Sequence, residues 1–151
     1  MKKIIFTTEG LNSLLNELKT LEESRPYLIN ELRKASELGD RSENEAYKAA
    51  KSKLRYTDTR IAYLNKIKLY VTVVTPTQFE KVAIGHTVKI LKNDKEYIYR
   101  IVGSHEADPA KGKISYLSPI GAALINRRVQ EKFMFEINGN KTALMIKDIS
   151  T

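Results

Sequence analysis

Apolar residues recur every three or four positions in the first half of the chain and every second position in the second half. From Leu11 the series runs Leu11, Leu14, Leu18, Leu21, Leu28, Leu32, Ala35. Alternating steps of three and four put one apolar stripe on a helix, the seam of a coiled coil. Arg25 takes the one seam position that is not apolar, and Pro26 follows it. Proline removes a helix hydrogen bond, so a bend or brief break is expected there, with helix on both sides. A second seam runs Tyr47, Ala50, Leu54, Thr57, Ile61, Leu64, widened by Ile67. Between the seams lies Gly39-Asp40-Arg41-Ser42. Glycine ends helices and Asp or Ser begins them. Two seams joined so briefly fold back on each other as an antiparallel helical hairpin, roughly 45 Å long at 1.5 Å per residue.

Past Val74-Thr75-Pro76 the period drops to two. Residues 87–91 and 97–102 read as strands joined through Asn93-Asp94-Lys95. Residues 132–137 and 142–147 read as a second pair around Asn138-Gly139-Asn140, with Asn-Gly the stronger hairpin signal. Ser118-Pro119 opens a short helix running to Ile125, serine capping and proline in the first turn. The expected fold is α+β: a coiled-coil hairpin over 1–75, then a small, mostly antiparallel sheet domain with one short helix over 76–151.

Composition narrows the chemistry. The 151 residues include no Cys, which excludes disulfides, thiolate zinc sites and a cysteine nucleophile. His86 and His105 stand without further ligands at metal spacing. No apolar run approaches the roughly 18 residues of a membrane span, and the three-residue run Ile4-Ile5-Phe6 is too short for a signal peptide, so a cytoplasmic protein with no membrane contact is expected. The formal charge of +8 points to an anionic partner. That charge is concentrated: residues 46–68 carry seven bases against Asp58 alone, while residues 9–38 are net acidic. Lys48, Lys51 and Arg55 fall on one stripe beside the seam, with Lys53 nearby in sequence. Such a stripe is either a solvated face paired with acids of the first helix or a surface that meets phosphates.

Asp40, Glu43 and Glu45 crowd the turn of the hairpin. Asp40 with Glu43, or Ser42 with Glu45, has capping-box spacing for the second helix. One pair suffices for that task. Carboxylates placed together also bind Mg²⁺ weakly through oxygen, and a metal so held activates water against a phosphodiester. Two carboxylates on an exposed turn need a partner to supply a first metal, the nucleic acid and the walls of the site.

Gly39-Asp40-Arg41-Ser42-Glu43-Asn44 with Tyr47, followed by Leu54-Arg55 and Arg60-Ile61-Ala62-Tyr63-Leu64, resembles the bacterial Gre transcript-cleavage factors, the tip and basic helix leaning to the GreB branch. The second half is similar independently: Tyr99-Arg100-Ile101-Val102-Gly103, Glu106-Ala107-Asp108 (leaning to the GreA branch), Ile114-Ser115 and Ser118 to Leu124. The resemblance implies an FKBP-like second domain docked on RNA polymerase, and a hairpin inserted into the polymerase secondary channel. It implies that the chain stimulates the polymerase's own cleavage of the RNA 3′ end in backtracked complexes and is not itself an enzyme. Asp40 and Glu43 match the acids that share Mg²⁺ with the polymerase centre. Asn44 and Tyr47 match positions that order the tip, and Lys48, Lys51, Lys53 and Arg55 lie where the family has an RNA-facing basic patch. A monomer is expected. Glu45-Ala46-Tyr47 departs from the family's small-acid-Tyr order, and Asn138-Gly139-Asn140 replaces its Thr-Pro-Gly-Gly turn. The alternatives are a secondary-channel regulator that does not cut, and a coiled-coil protein with no polymerase partner.

Overall fold

A computed structural model describes residues 2–151. The chain forms two compact units, residues 12–70 and residues 2–11 with 71–151.

The first unit is helical. Helix α1 spans Thr8–Ser36 and enters this unit at Asn12; α2 spans Glu45–Lys68. Leu14, Leu18, Leu28 and Ala35 of α1 are buried, as are Thr57, Leu64 and Ile67 of α2, all on the stripes that the period of three and four picks out. Burying a leucine in this way contributes about 1.5–3 kcal/mol. Polar ties give the direction of pairing. Arg60 donates to Glu17 at 2.6 and 3.0 Å, Arg25 to Asp58 at 2.6 and 3.3 Å, and Asn44 to the Ala35 carbonyl at 2.7 Å. Partner numbers fall on α2 as they rise on α1, so the helices are antiparallel. Arg25 holds the polar seam position because Asp58 of α2 faces it. The break expected at Pro26 does not occur: α1 is continuous through it. The flanking Leu21 and Leu28 on the seam and the bidentate Arg25 pair hold the helix together across the missing hydrogen bond.

The second unit has two sheets. Strand β1 (Ile4–Phe6) pairs in parallel with β2 (Val71–Val73). The larger sheet has the order β5-β4-β3-β7-β6, from β3 (Thr87–Lys92), β4 (Lys95–Val102), β5 (Lys113–Ser115), β6 (Lys132–Ile137) and β7 (Asn140–Ser150). All its pairs are antiparallel except β4 with β5. Both hairpins turn on residues with positive φ, Asn93-Asp94 (50° and 60°) and Asn138-Gly139 (50° and 78°), the backbone a two-residue turn needs to match strand twist. Val88, Ile90, Ile101, Leu144 and Ile146 line one face and close over Leu124 of α3 (Pro119–Leu124), whose cap is Ser118. A register shift between Lys89 and Ile90 against β7 adds one residue, so Ile149 joins Leu144 and Ile146 on that face instead of pointing away from it.

The division into units departs from the expected boundary at 75/76. Residues 2–11 and 71–75 belong with the sheet unit, because β1 and β2 pair with each other there and Val74 N–H donates to the Phe6 carbonyl. No helix among the described residues is long and apolar enough to cross a membrane.

His86 is the one fully buried histidine of the core. Its Nδ1 accepts from Ala83 N–H at 2.9 Å, its ring lies 4.9 Å from that of Phe79, and Nε2 is buried without a hydrogen-bond partner. Burial pushes its pKa below the ordinary histidine value, against a weaker opposing pull from the Gln78 backbone. The unfolded chain therefore holds a proton that the folded chain refuses. The stability from this neutral histidine is complete above about pH 6.5 and is lost as pH falls below it. The stability of the parent is expected to decline from pH 7 to 5 with a slope of up to about 1.4 kcal/mol per unit. His86→Gln should be less stable but flatter across that window, as read by thermal unfolding. Equal slopes would remove His86 as the cause.

Candidate functional site

Eight residues, 37–44, connect the two helices. Gly39 has φ of 132°, a backbone that a side chain rarely adopts, with open space around its Cα. Asp40 follows it, exposed, and its Oδ1 accepts from Ser42 N–H at 2.9 Å. That bond, and a weaker one from the Ser42 hydroxyl, hold the Asp40 pKa below the usual carboxylate range. Asp40 has no cationic partner among the described residues. Glu43 is exposed and has no hydrogen bond or ion pair among the described residues.

Neither acid caps α2. The cap is Asn44, whose Oδ1 accepts from Tyr47 N–H at 3.1 Å while its Nδ2 reaches the Ala35 carbonyl at 2.7 Å. One side chain thus starts α2 and adds a second, shorter bond to the Ala35 carbonyl at the end of α1, which also accepts from Leu38 N–H at 3.2 Å. The capping readings of Asp40 and Ser42 are overturned for that reason, and asparagine's high preference at caps was the signal that points to Asn44. Tyr47 carries the guanidinium of Arg41 over its ring at 5.6 Å, a residue that spacing did not single out. Glu45 is engaged by Lys48 at 3.1 Å. Arg41 and Lys48 are thereby drawn to Tyr47 and Glu45, and Asp40 and Glu43 remain without a cationic partner.

On α2, Lys51 and Arg55 are exposed, and their side chains have no partner among the described residues. With Lys48 they lie within about 60° of one another at 100° per residue. Lys53 is not part of this stripe. Five residues beyond Lys48, it sits about 140° around the helix, so the basic surface at the tip is Lys48, Lys51 and Arg55.

Two carboxylates fit a weakly held divalent cation only in part. Mg²⁺ takes six oxygens and keeps several as water. Among the described residues no group of three or more His, Cys, Asp or Glu could hold a metal ion. Asp40 and Glu43 can supply oxygens to an ion whose other ligands come from elsewhere.

The family model described as transcription elongation factor, N-terminal, matches residues 4–73, and the model described as transcription elongation factor, GreA/GreB, C-term, matches residues 76–151. The transcription elongation factor GreA of Helicobacter pylori strain 26695 is 40% identical across 99% of this chain and 94% of its own length. That of Novosphingobium aromaticivorans is 38% identical across 97% of this chain and 96% of its own. Both relatives bear the GreA name. A crystal structure of GreA factor homolog 1 from Thermus thermophilus is 21% identical over 99% of this chain and 100% of that one, with a TM-score of 0.46. The family models and these identities agree over nearly the full length, and the chain belongs to the GreA/GreB transcription elongation factor family.

Proposed function

We propose that this chain stimulates RNA cleavage by a backtracked RNA polymerase. The hairpin enters the polymerase secondary channel, and the sheet unit docks outside it. The observation that carries this reading is the pair Asp40 and Glu43, exposed and without a cationic partner among the described residues, on the short connection of a long antiparallel hairpin.

Asp40 and Glu43 would contribute oxygens to a Mg²⁺ ion shared with the polymerase's own aspartates. Such an ion lowers the pKa of bound water and offsets charge on the phosphodiester under attack. The Asp40 carboxylate is ionised at neutral pH, as any exposed aspartate is, and the Ser42 N–H holds its Oδ1 in place. Asn44 fixes the turn from which both acids project, by holding the start of α2 to the end of α1. Lys51 and Arg55 face extruded RNA and contribute long-range attraction. Hydrolysis occurs in the polymerase, so the chain acts as an accessory factor, as a cytoplasmic monomer with no resident cofactor.

The test is a stalled, backtracked elongation complex incubated with Mg²⁺, with and without the protein. Release of short 3′ RNA fragments and resumed elongation are expected. Binding to the polymerase without cleavage would favour a non-cutting regulator of the same channel, and no binding would overturn the reading. Charge reversal at Lys51 and Arg55 together should slow cleavage of RNAs backtracked by many nucleotides several-fold more than of those backtracked by two or three, and should flatten the salt dependence. Equal slowing of both would leave the stripe as a solvated face.

A further inference from the structure

Helix α1 begins with a glycine in its first turn, Gly10, although glycine is among the poorest helix formers. The reason lies elsewhere in the chain. Thr7 precedes α1 and caps it: its hydroxyl accepts from Gly10 N–H at 3.0 Å, and its carbonyl accepts from Leu11 N–H at 3.0 Å. In a reciprocal cap, a Glu or Gln at the third helical position turns back to the cap residue's own N–H. Here that position is Gly10. Glu106, 99 residues beyond Thr7, supplies the missing carboxylate. Its Oε2 accepts from Thr7 N–H at 2.9 Å and from Gly103 N–H at 3.0 Å, and its Oε1 accepts from the Thr7 hydroxyl at 2.5 Å. A Cβ on Gly10 would lie 1.8 Å from that Oε1, so glycine is what admits Glu106. A second tie joins the same turn to β4, Glu9 to Arg100 at 3.0 Å.

We propose that Glu106 is a positioning residue. It completes the cap of α1 from the sheet unit and so anchors the root of the helix that continues to the tip carboxylates. The proposal rests on the cleavage function above. The anchor, beyond the cap itself, is what the tip acids need in order to act.

The two roles separate in a double variant. Glu106→Ala cuts the tie. Gly10→Glu with Glu106→Ala puts the carboxylate back at the third helical position, restoring the cap from within α1 while leaving the Glu106 tie cut. The double variant is expected to recover most of the thermal stability that Glu106→Ala loses. Its maximal cleavage rate at saturating factor should be about tenfold below the parent, with the half-saturating concentration changed less than threefold. Parental maximal cleavage in the double variant would overturn the proposal, leaving Glu106 as a helix cap alone. Should the double variant not fold, Thr7→Val, which removes the hydroxyl, and Thr7→Ser, which keeps it, take its place. Serine should behave as the parent and valine should lower the maximal rate, and equal maximal rates would overturn the proposal. Hydrogen exchange reads the tie without polymerase: the Thr7 amide, which donates to Glu106, should be slow in the parent and faster in Glu106→Ala. Unchanged exchange overturns the anchor, whereas a parent that shows the anchor but stimulates no cleavage overturns the cleavage reading instead.

Discussion

Alanine at Asp40, or at Glu43, is expected to reduce stimulated RNA cleavage by at least about tenfold, since even a group one step removed from a metal costs 10–100-fold when lost. Folding should be little affected. Both side chains are exposed, and substitutions of that kind fall within about 0.5 kcal/mol. The amide variants sharpen the test. Asp40→Asn keeps an oxygen to accept from Ser42 N–H, so the turn keeps its shape while the charge is removed. If Asp40→Asn is as inactive as Asp40→Ala, the charge is needed and not the turn. If it retains parental cleavage in the backtracked complex, Asp40 is only a turn residue, and the proposed sharing of Mg²⁺ fails. Glu43 makes no bond to its own chain, so Glu43→Gln and Glu43→Ala should be indistinguishable in stability and equally poor in cleavage. Polymerase binding should survive in all four, which separates loss of chemistry from loss of docking.

The second large effect is expected at Asn44, where one amide does two things. Asn44→Ala loses the α2 cap and the bond to the Ala35 carbonyl together. A lost cap costs about 1 kcal/mol and a lost hydrogen bond about 0.5–1.5 kcal/mol, so the hairpin should be destabilised by about 2 kcal/mol. Asn44→Asp keeps an acceptor for Tyr47 N–H, and its charge suits a helix N-terminus, but it has no donor for Ala35. Its stability should lie between those of the parent and the alanine variant in denaturant unfolding followed by helical circular dichroism. Cleavage should fall in both variants, because each frees the end of α1 from the start of α2 and loosens the turn carrying Asp40 and Glu43. Parental cleavage by Asn44→Asp would show that the Ala35 bond is dispensable to the tip.

Much of the architecture was legible because it is written in local periods. The buried residues of both helices all lie on the seams, since an antiparallel pair can hide only one stripe of each helix. The strands from Thr87, Lys95, Lys132 and Asn140 follow a period of two with turn residues between them. Reading failed where one local signal had several equivalent solutions. Asp40, Ser42 and Asn44 are all good cap residues, and only the Ala35 carbonyl, nine residues back, decides for Asn44. Lys53 looked like part of a basic cluster because it is near in sequence, while helical geometry turns it away from Lys48, Lys51 and Arg55.

Periodicity, turn chemistry and the sign of charge, all encoded within a few residues, settled from the sequence alone that a basic hairpin with an acidic turn precedes a small sheet. Tertiary structure decided what depends on residues far apart: the parallel pairing of β1 with β2, the return of residues 2–11 to the sheet unit, and the Glu106 carboxylate in the space Gly10 leaves open. A three-residue strand has no period to read, and a cap supplied from 99 residues away leaves at the helix itself only a glycine.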